Sequence, residues 1–154
     1  MKIGLGLGGV AALAVSIPVI GALLQPLLEK KPEVWRPVGS VDDFPLHQTK
    51  LIKFKNADPQ AWAGISAHSA AWLRRNSETD FTAFSPNCTH LGCPVRWEAD
   101  AQLFMCPCHG GAYYKDGTVA AGPPPKSLPQ YQVRVVKGQV QVKTAPVPIT
   151  TLTT

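Results

Sequence analysis

Two short cysteine and histidine boxes constrain this chain more than any other feature. They are Cys88–Cys93, which reads C-T-H-L-G-C, and Cys106–Gly111, which reads C-P-C-H-G-G. Each box offers a thiolate and an imidazole within a few residues, and its glycine or proline lets the backbone turn so that both side chains converge on one metal centre. All 4 cysteines of the chain fall in these boxes, which is too concentrated for a disulfide framework spread across a secreted fold. The cysteines therefore belong to a single site.

Two kinds of metal centre use such donors, and the residues alone leave both open. The candidate metal ligands are Cys88, His90, Cys106 and His109. A structural zinc ion accepts two cysteines and two histidines, but it would leave Cys93 and Cys108 without a role. An iron–sulfur cluster also accepts this mixed set of ligands, and with it every cysteine can have a role.

The two boxes resemble those of Rieske iron–sulfur proteins of cytochrome bc-type complexes. The additional cysteines sharpen the likeness, and the later run Gly122–Pro125 is similar to the proline loop that lies beside the cluster in that family. The resemblance implies a Rieske-type [2Fe–2S] cluster. Its metal ligands would be, on one iron, Cys88 and Cys106 and, on the other iron, His90 and His109. The resemblance also implies a disulfide between Cys93 and Cys108.

The same resemblance assigns roles to residues around the cluster. His90 and His109 are expected to expose their outer ring nitrogens, and His109 corresponds to the ligand that hydrogen-bonds quinol. Leu91 is expected to shield the cluster from solvent. Tyr113 is expected to donate a hydrogen bond to the sulfur of Cys88.

Gly111 departs from the pattern of the family's high-potential members, which carry a serine there that donates to a bridging sulfide. Losing this donor should lower the reduction potential, because the reduced cluster carries more negative charge than the oxidised one. We therefore expect a centre suited to menaquinol. Pro124, in the proline loop, is expected to be among the residues that surround the cofactor.

The resemblance implies electron transfer in a quinol-oxidising membrane complex, with this chain as a catalytic subunit of a quinol:cytochrome c oxidoreductase. The chain would take one electron and a proton from quinol beside a cytochrome b-type subunit, and would pass the electron to a c-type cytochrome. The alternatives are a membrane-anchored Rieske carrier of another oxidoreductase and a zinc-stabilised interaction module. The net charge of +5 does not indicate a nucleic-acid partner, since the lysines and arginines are scattered without a basic run.

Residues 1–28 are predicted to form a transmembrane anchor. The stretch Ile3–Leu28 has no charged side chain, and a helix of that length rises about 39 Å, enough to cross a hydrocarbon core of about 30 Å. A cleaved signal peptide is the alternative, but the apolar run is long for one. Residues 29–38 are predicted to form a hinge or connector. Because a stable disulfide needs an oxidising compartment, we expect the head outside the cytoplasm, although the lysines after the helix favour the opposite side.

The rest of the sequence predicts a head over 39–146, with cluster-binding loops at about 85–125, and a tail over 147–154. Short β-type runs lie at Thr49–Lys55, Ala71–Arg75 and Asp80–Phe84, and Lys137-Gly138 is a turn between two alternating segments. We expect a mainly β fold, a Rieske-like antiparallel β-sandwich with a small cluster-binding subdomain. Arg74 and Arg75 are expected to be solvated charges.

Overall fold

The computed structural model describes residues 2–28, 33–57, 64 and 68–144. The chain divides into two compact units, Met1–Lys31 and Pro32–Thr154. Of the predicted connector, residues 29–32 lie outside the described residues, as does the whole predicted tail. The second unit is called the head below.

The first unit is a single helix, α1 (Lys2–Leu28). Its segment Gly6–Gln25 has a mean hydropathy of 2.2 and buries none of its length. A helix of this length and composition is able to cross a bilayer. The predicted N-terminal apolar helix is therefore confirmed.

The head is built from antiparallel β-strands. In the described residues these are β1 (Trp35–Ser40), β2 (Thr49–Lys55), β3 (His68–Arg75), β4 (Phe81–Phe84), β5 (Arg96–Glu98), β6 (Leu103–Cys106), β7 (Gly111–Tyr114), β8 (Val119–Ala121), β9 (Gln130–Tyr131), β10 (Val133–Val136) and β11 (Gln139–Lys143). They form three sheets, in the orders β1-β11-β10, β2-β3-β4-β9 and β5-β6-β7-β8. The mainly β, antiparallel fold is confirmed.

The first two sheets share one hydrophobic core and are called the base below. In β2, Ile52 and Phe54 are buried while Leu51 and Lys53 are exposed, since successive side chains of a strand point to opposite faces. The buried residues of this core are Phe44, Ile52, Phe54, Ala71, Leu73, Phe81, Ala83, Val140 and Val142. Both sheets contribute to it, as the predicted sandwich requires.

The third sheet, β5–β8, has a separate core. Its buried residues are Phe84, Cys88, Val95, Phe104, Cys106, Tyr113 and Leu128. Sequence reasoning treated residues 85–125 as loops, whereas the structure places four short strands there. Strands of three or four residues are too short to show a clear alternation of buried and exposed positions. This sheet, the two boxes and the proline loop are called the cluster region below.

Two arginines and the start of the head differ from expectation. Arg74 is only 8% exposed and its guanidinium donates to Thr49 Oγ1 at 3.1 Å. Arg75 donates to the carbonyl oxygens of Val41 and Phe44 at 3.1 and 2.9 Å. The expectation of solvated charges is therefore wrong. Arg74 is buried against a threonine hydroxyl, and Arg75 satisfies backbone carbonyl oxygens in the segment that follows β1.

Within the predicted connector, residues from Trp35 onward belong to β1, which pairs with β11.

Candidate metal centre

The first box forms a tight loop after β4. The amide of Cys88 donates to the carbonyl of Cys93 at 2.8 Å, and the amide of Gly92 donates to the carbonyl of Cys88 at 2.9 Å. Gly92 has φ +79°, a conformation that residues with a side chain rarely adopt. Asn87 closes the loop by donating from its side-chain amide to the carbonyl of Gly92 at 2.8 Å. The loop thus holds the residues between Cys88 and Cys93 in a fixed arrangement.

The second box is the turn of the hairpin between β6 and β7. Cys106 ends β6 and faces Gly111, the first residue of β7, across the ladder. Gly110 turns the chain with φ +69°. Cys106 is buried at the end of its strand, whereas His109 is exposed in the turn. The hairpin therefore presents one donor to the interior and one to the surface.

The four predicted metal ligands separate by depth. Cys88 and Cys106 are free thiols, 2% and 3% exposed. His90 is half-buried and His109 is exposed, and their rings meet edge to face with centroids 4.9 Å apart. Soft sulfur donors lie on the inner side and a pair of adjacent imidazoles on the outer side. This donor set fits a cluster whose two irons take different ligands.

A disulfide joins the two boxes. It links Cys93 to Cys108, which are 15 residues apart with a Cα–Cα distance of 6.6 Å. The sulfur of Cys106 lies within 4.8 Å of both. Since two of these three sulfurs are already bonded to each other, the trio does not offer three thiolates to one metal ion. The pairing is the one that the resemblance implied.

Tyr113 and Thr89 connect the inner cysteine of the first box to the residue that follows the proline loop. Tyr113 Oη lies 3.1 Å from Cys88 Sγ and accepts the Thr89 amide at 2.9 Å. Thr89 Oγ1 is 3.1 Å from the same Oη and donates to the carbonyl of Lys126 at 2.6 Å. Burial, together with the hydrogen bond to Cys88, raises the pKa of Tyr113 to about 12. The hydroxyl therefore keeps its proton at neutral pH and is able to donate it.

Leu91 lies at the surface of the first box. It is 71% exposed, between the half-buried His90 and Gly92. Its predicted role as a shield of the cluster stays a prediction.

The proline loop packs directly on the second box. A Cβ added at Gly111 would lie 2.8 Å from Pro124 Cγ and 3.2 Å from its Cδ. Gly122 has φ +85°, and a Cβ there would lie 2.8 Å from the carbonyl oxygen of Gly110. Both Gly111 and Pro124 are buried. The contact leaves no room for a side chain at either glycine.

The structure brings the predicted site residues together in pairs. His90 meets His109, Cys88 meets Tyr113, and Gly111 meets Pro124. It also adds a residue that sequence reasoning missed. Thr89 touches both Tyr113 and Lys126, the residue that follows the proline loop. A hydroxyl residue next to the first cysteine of the box was the signal available in the sequence. Its partners lie 24 and 37 residues away, so that only the fold reveals them.

Comparison with known proteins decides the family. The Rieske [2Fe–2S] domain family matches residues 34–132, which include both boxes and the proline loop. This chain belongs to the Rieske family. A Rieske-type [2Fe–2S] cluster is accordingly its cofactor.

Its relatives and structural neighbours include Rieske proteins of membranes. The chain is 34% identical over 144 residues to the cytochrome b6-f complex iron–sulfur subunit of Chlorobaculum tepidum, covering 94% of this chain and 72% of that protein. It is 35% identical over 139 residues to the menaquinol:cytochrome c reductase iron–sulfur subunit of Bacillus subtilis, covering 86% and 81%. The solved plasma membrane Rieske protein of Synechocystis PCC 6803 is 28% identical, with a TM-score of 0.52 over 70% of this chain and 97% of that one. The Rieske fold of the head is thus confirmed.

Proposed function

We propose that this Rieske protein is the electron-transfer subunit of a quinol-oxidising membrane complex. The observation that carries the proposal is the pair of adjacent imidazoles, His90 and His109, on the outer side of two buried thiols. This arrangement lets an outside molecule reach the imidazoles while the sulfur donors stay shielded. Relatives that are iron–sulfur subunits of cytochrome complexes support the proposal.

The ligand assignment follows the depth of the donors. Cys88 and Cys106 would hold the inner iron, and His90 and His109 would hold the outer iron. When bound, the cluster supplies a one-electron acceptor, at about −150 to +300 mV for Rieske centres. Tyr113 Oη lies 3.1 Å from Cys88 Sγ and would donate its proton to that sulfur once it is a thiolate ligand, and the disulfide keeps the two boxes together.

His109 would be the residue that meets quinol. It is exposed in the turn, so that with one ring nitrogen holding the iron, the other would be able to accept a hydrogen bond from a quinol hydroxyl. A proton received at that nitrogen offsets the negative charge that the electron brings, and the site therefore favours the arrival of both. The electron would then pass to a c-type cytochrome.

The anchor and the disulfide indicate on which side of the membrane the head would lie. Helix α1 would span the energy-transducing membrane once, and the chain between Leu28 and Trp35 would connect it to the head. Because structural disulfides persist in oxidising compartments, the head would lie on the extracytoplasmic side. There it would meet a cytochrome b-type subunit in the same complex.

Menaquinol is the proposed substrate. Gly111 offers no hydroxyl to the cluster, and fewer donors near the sulfur atoms lower a cluster's potential. A cluster with a lowered potential is still able to accept an electron from menaquinol, because menaquinol is itself a low-potential donor. The Bacillus subtilis relative, a menaquinol:cytochrome c reductase subunit, supports this choice.

The test uses the cluster's EPR signal in native membranes. A quinone-site inhibitor should change the g-values of the reduced cluster, because the inhibitor occupies the place of quinol beside His109. The purified full-length chain in detergent, without its complex, is the control and should not respond. An unchanged signal in membranes would contradict quinol oxidation and favour a membrane-anchored carrier of another oxidoreductase.

A further inference from the structure

We propose that Pro124 is a positioning residue that controls the reduction potential by keeping position 111 free of a side chain. Gly111 and Pro124 would thus be a matched pair, in which the proline ring fills the space that a serine would need. The inference rests on the proposed arrangement of the cluster beside the second box. It goes beyond that proposal by naming the residue that excludes the donor.

The space at Gly111 is blocked by Pro124. A Cβ there would lie 2.8 Å from Pro124 Cγ and 3.2 Å from Cδ, while its next neighbour, Cys106 Cβ, is at an ordinary 3.5 Å. Contacts below 3 Å force one of the two groups to move. A pyrrolidine ring is closed on its own backbone and cannot swing aside as a flexible side chain can.

The backbone of Gly111 does not itself demand glycine. Its φ lies outside the left-handed region, unlike those of Gly110 (+69°) and Gly122 (+85°). Alanine or serine would therefore be acceptable to the local conformation. The requirement for glycine comes from the neighbouring ring alone.

The proline loop is held on both sides of Pro124. At one end, a Cβ at Gly122 would lie 2.8 Å from the Gly110 carbonyl oxygen and 2.9 Å from Gly111 Cα, so the two backbones are in close contact. At the other end, Thr89 Oγ1 donates to the carbonyl of Lys126 at 2.6 Å. These contacts oppose a shift of the loop away from the second box. A shift of the loop therefore cannot make room for a side chain at position 111.

Truncating Pro124 should relieve the conflict. Pro124→Ala removes Cγ and Cδ, the two atoms within 3.4 Å of the added Cβ. A serine at position 111 would then fit beside Cys106. Its hydroxyl would be next to the cluster as a new donor, which stabilises the reduced state.

The experiment is a double-mutant cycle on the full-length chain in detergent. The variants are Gly111→Ala, Gly111→Ser, Pro124→Ala and the combinations of Pro124→Ala with each glycine variant. Pro123→Ala is the matched control, because Pro123 belongs to the same loop but is exposed. The readouts are the melting temperature, the iron and acid-labile sulfide per chain, and the reduction potential from an EPR titration.

We expect both glycine variants to lower the melting temperature and the cluster content when made alone. Combined with Pro124→Ala, each should return to the level of Pro124→Ala itself, whereas Pro123→Ala should rescue neither. Only the combination of Gly111→Ser with Pro124→Ala should raise the potential above that of Pro124→Ala. The alanine combination separates the hydroxyl from the added volume and should leave the potential unchanged.

Three results would overturn the proposal. Two concern stability: a Gly111→Ala variant as stable as the wild type, and equal rescue by Pro123→Ala and Pro124→Ala. The third is a potential in the combination of Gly111→Ser with Pro124→Ala that is no higher than in Pro124→Ala alone.

Failure of the quinol function would give a different result. The stability coupling between positions 111 and 124 would persist, but a quinone-site inhibitor would not change the cluster's EPR signal in membranes. The converse is a result in which the inhibitor still changes the cluster's EPR signal in membranes while the variants at positions 111 and 124 show no coupling in stability. That result would contradict the matched pair and leave the quinol function standing.

Discussion

The base and the cluster region of the head are both antiparallel β-structure, but different interactions stabilise them. The base has its longest strands in β2 and β3, of 7 and 8 residues, and a core of hydrocarbon side chains. The cluster region has strands of 3 or 4 residues, and its core includes the sulfur atoms of Cys88 and Cys106. The base is therefore stabilised by strand pairing and apolar burial. The cluster region depends on a disulfide, a glycine–proline contact, one buried hydroxyl network and its cofactor.

Because different interactions stabilise the two regions, substitutions in them should have different effects on stability and on the cluster. A change in the base should lower the free energy of unfolding and leave the cluster's potential alone. A change in the cluster region should affect cluster content or potential as well.

The largest expected effect is loss of the cofactor from the cluster region. Cys106→Ser should remove one proposed thiolate ligand, and the full-length chain should then contain almost no iron or acid-labile sulfide. His68→Ala, an exposed histidine of the base, is the control and should keep a full cluster. Iron and sulfide analysis of both variants makes the comparison. A Cys106→Ser variant with a full cluster would contradict the ligand assignment.

In the base, Leu73→Ala should destabilise the head by about 2–5 kcal/mol, since a buried leucine leaves a cavity when truncated. Leu73 is 1% exposed. Leu51, 47% exposed on β2, provides the matched control, and its replacement by alanine should change stability by no more than about 0.5 kcal/mol. Denaturant unfolding measures the first effect and an EPR titration should give the wild-type potential for both. A shifted potential in Leu73→Ala would break the separation between the regions.

Removing the disulfide should destabilise the cluster region by about 3 kcal/mol, the chain-entropy estimate for a loop of about 15 residues. Replacing both Cys93 and Cys108 by alanine avoids leaving a free thiol near Cys106. The two boxes would no longer be tied, so the cluster should be lost at a lower temperature. Thermal melts followed by the cluster's visible absorption check this. If the cluster were lost at the same temperature as in the wild type, the other contacts between the two boxes would be enough to hold them together.

The smallest effect is expected from a single hydroxyl. Tyr113→Phe keeps the buried ring but removes the hydroxyl that lies 3.1 Å from Cys88 Sγ. If that hydroxyl donates to the ligand sulfur, the potential should fall. A change of about 1 kcal/mol in that hydrogen bond between the redox states corresponds to about 40 mV. Tyr131→Phe, which changes a half-buried tyrosine of the base, should leave the potential unchanged. Equal potentials in both variants would remove the role of the Tyr113 hydroxyl.

Sequence reasoning reached the base by periodicity. The run Thr49–Lys55 coincides with β2, and Lys137-Gly138 is the turn between β10 and β11. Thr49–Lys55 was visible as a β-type run bounded by turn residues. The two strands on either side of Lys137-Gly138 were visible because apolar and polar residues alternate along them. The cluster region lacks such alternation, and β5–β8 were missed for that reason.

The site was reached in a different way. The boxes placed the candidate ligands because metal-binding residues are close in the chain, and the resemblance supplied the disulfide. The contact between Gly111 and Pro124 was not visible in the sequence. It is a distance across the fold between residues that are 13 positions apart. Thr89 was missed for the same reason.

The central claim is that two imidazoles, from His90 and His109, bind the cluster of this Rieske protein. Pulsed EPR of the reduced full-length chain, labelled with ¹⁵N-histidine, measures this directly. With His90 and His109 as ligands, the spectrum should show strong couplings from two histidine nitrogens to the cluster's unpaired electron. A cluster without histidine coupling, or a chain that holds zinc in place of iron, would contradict it.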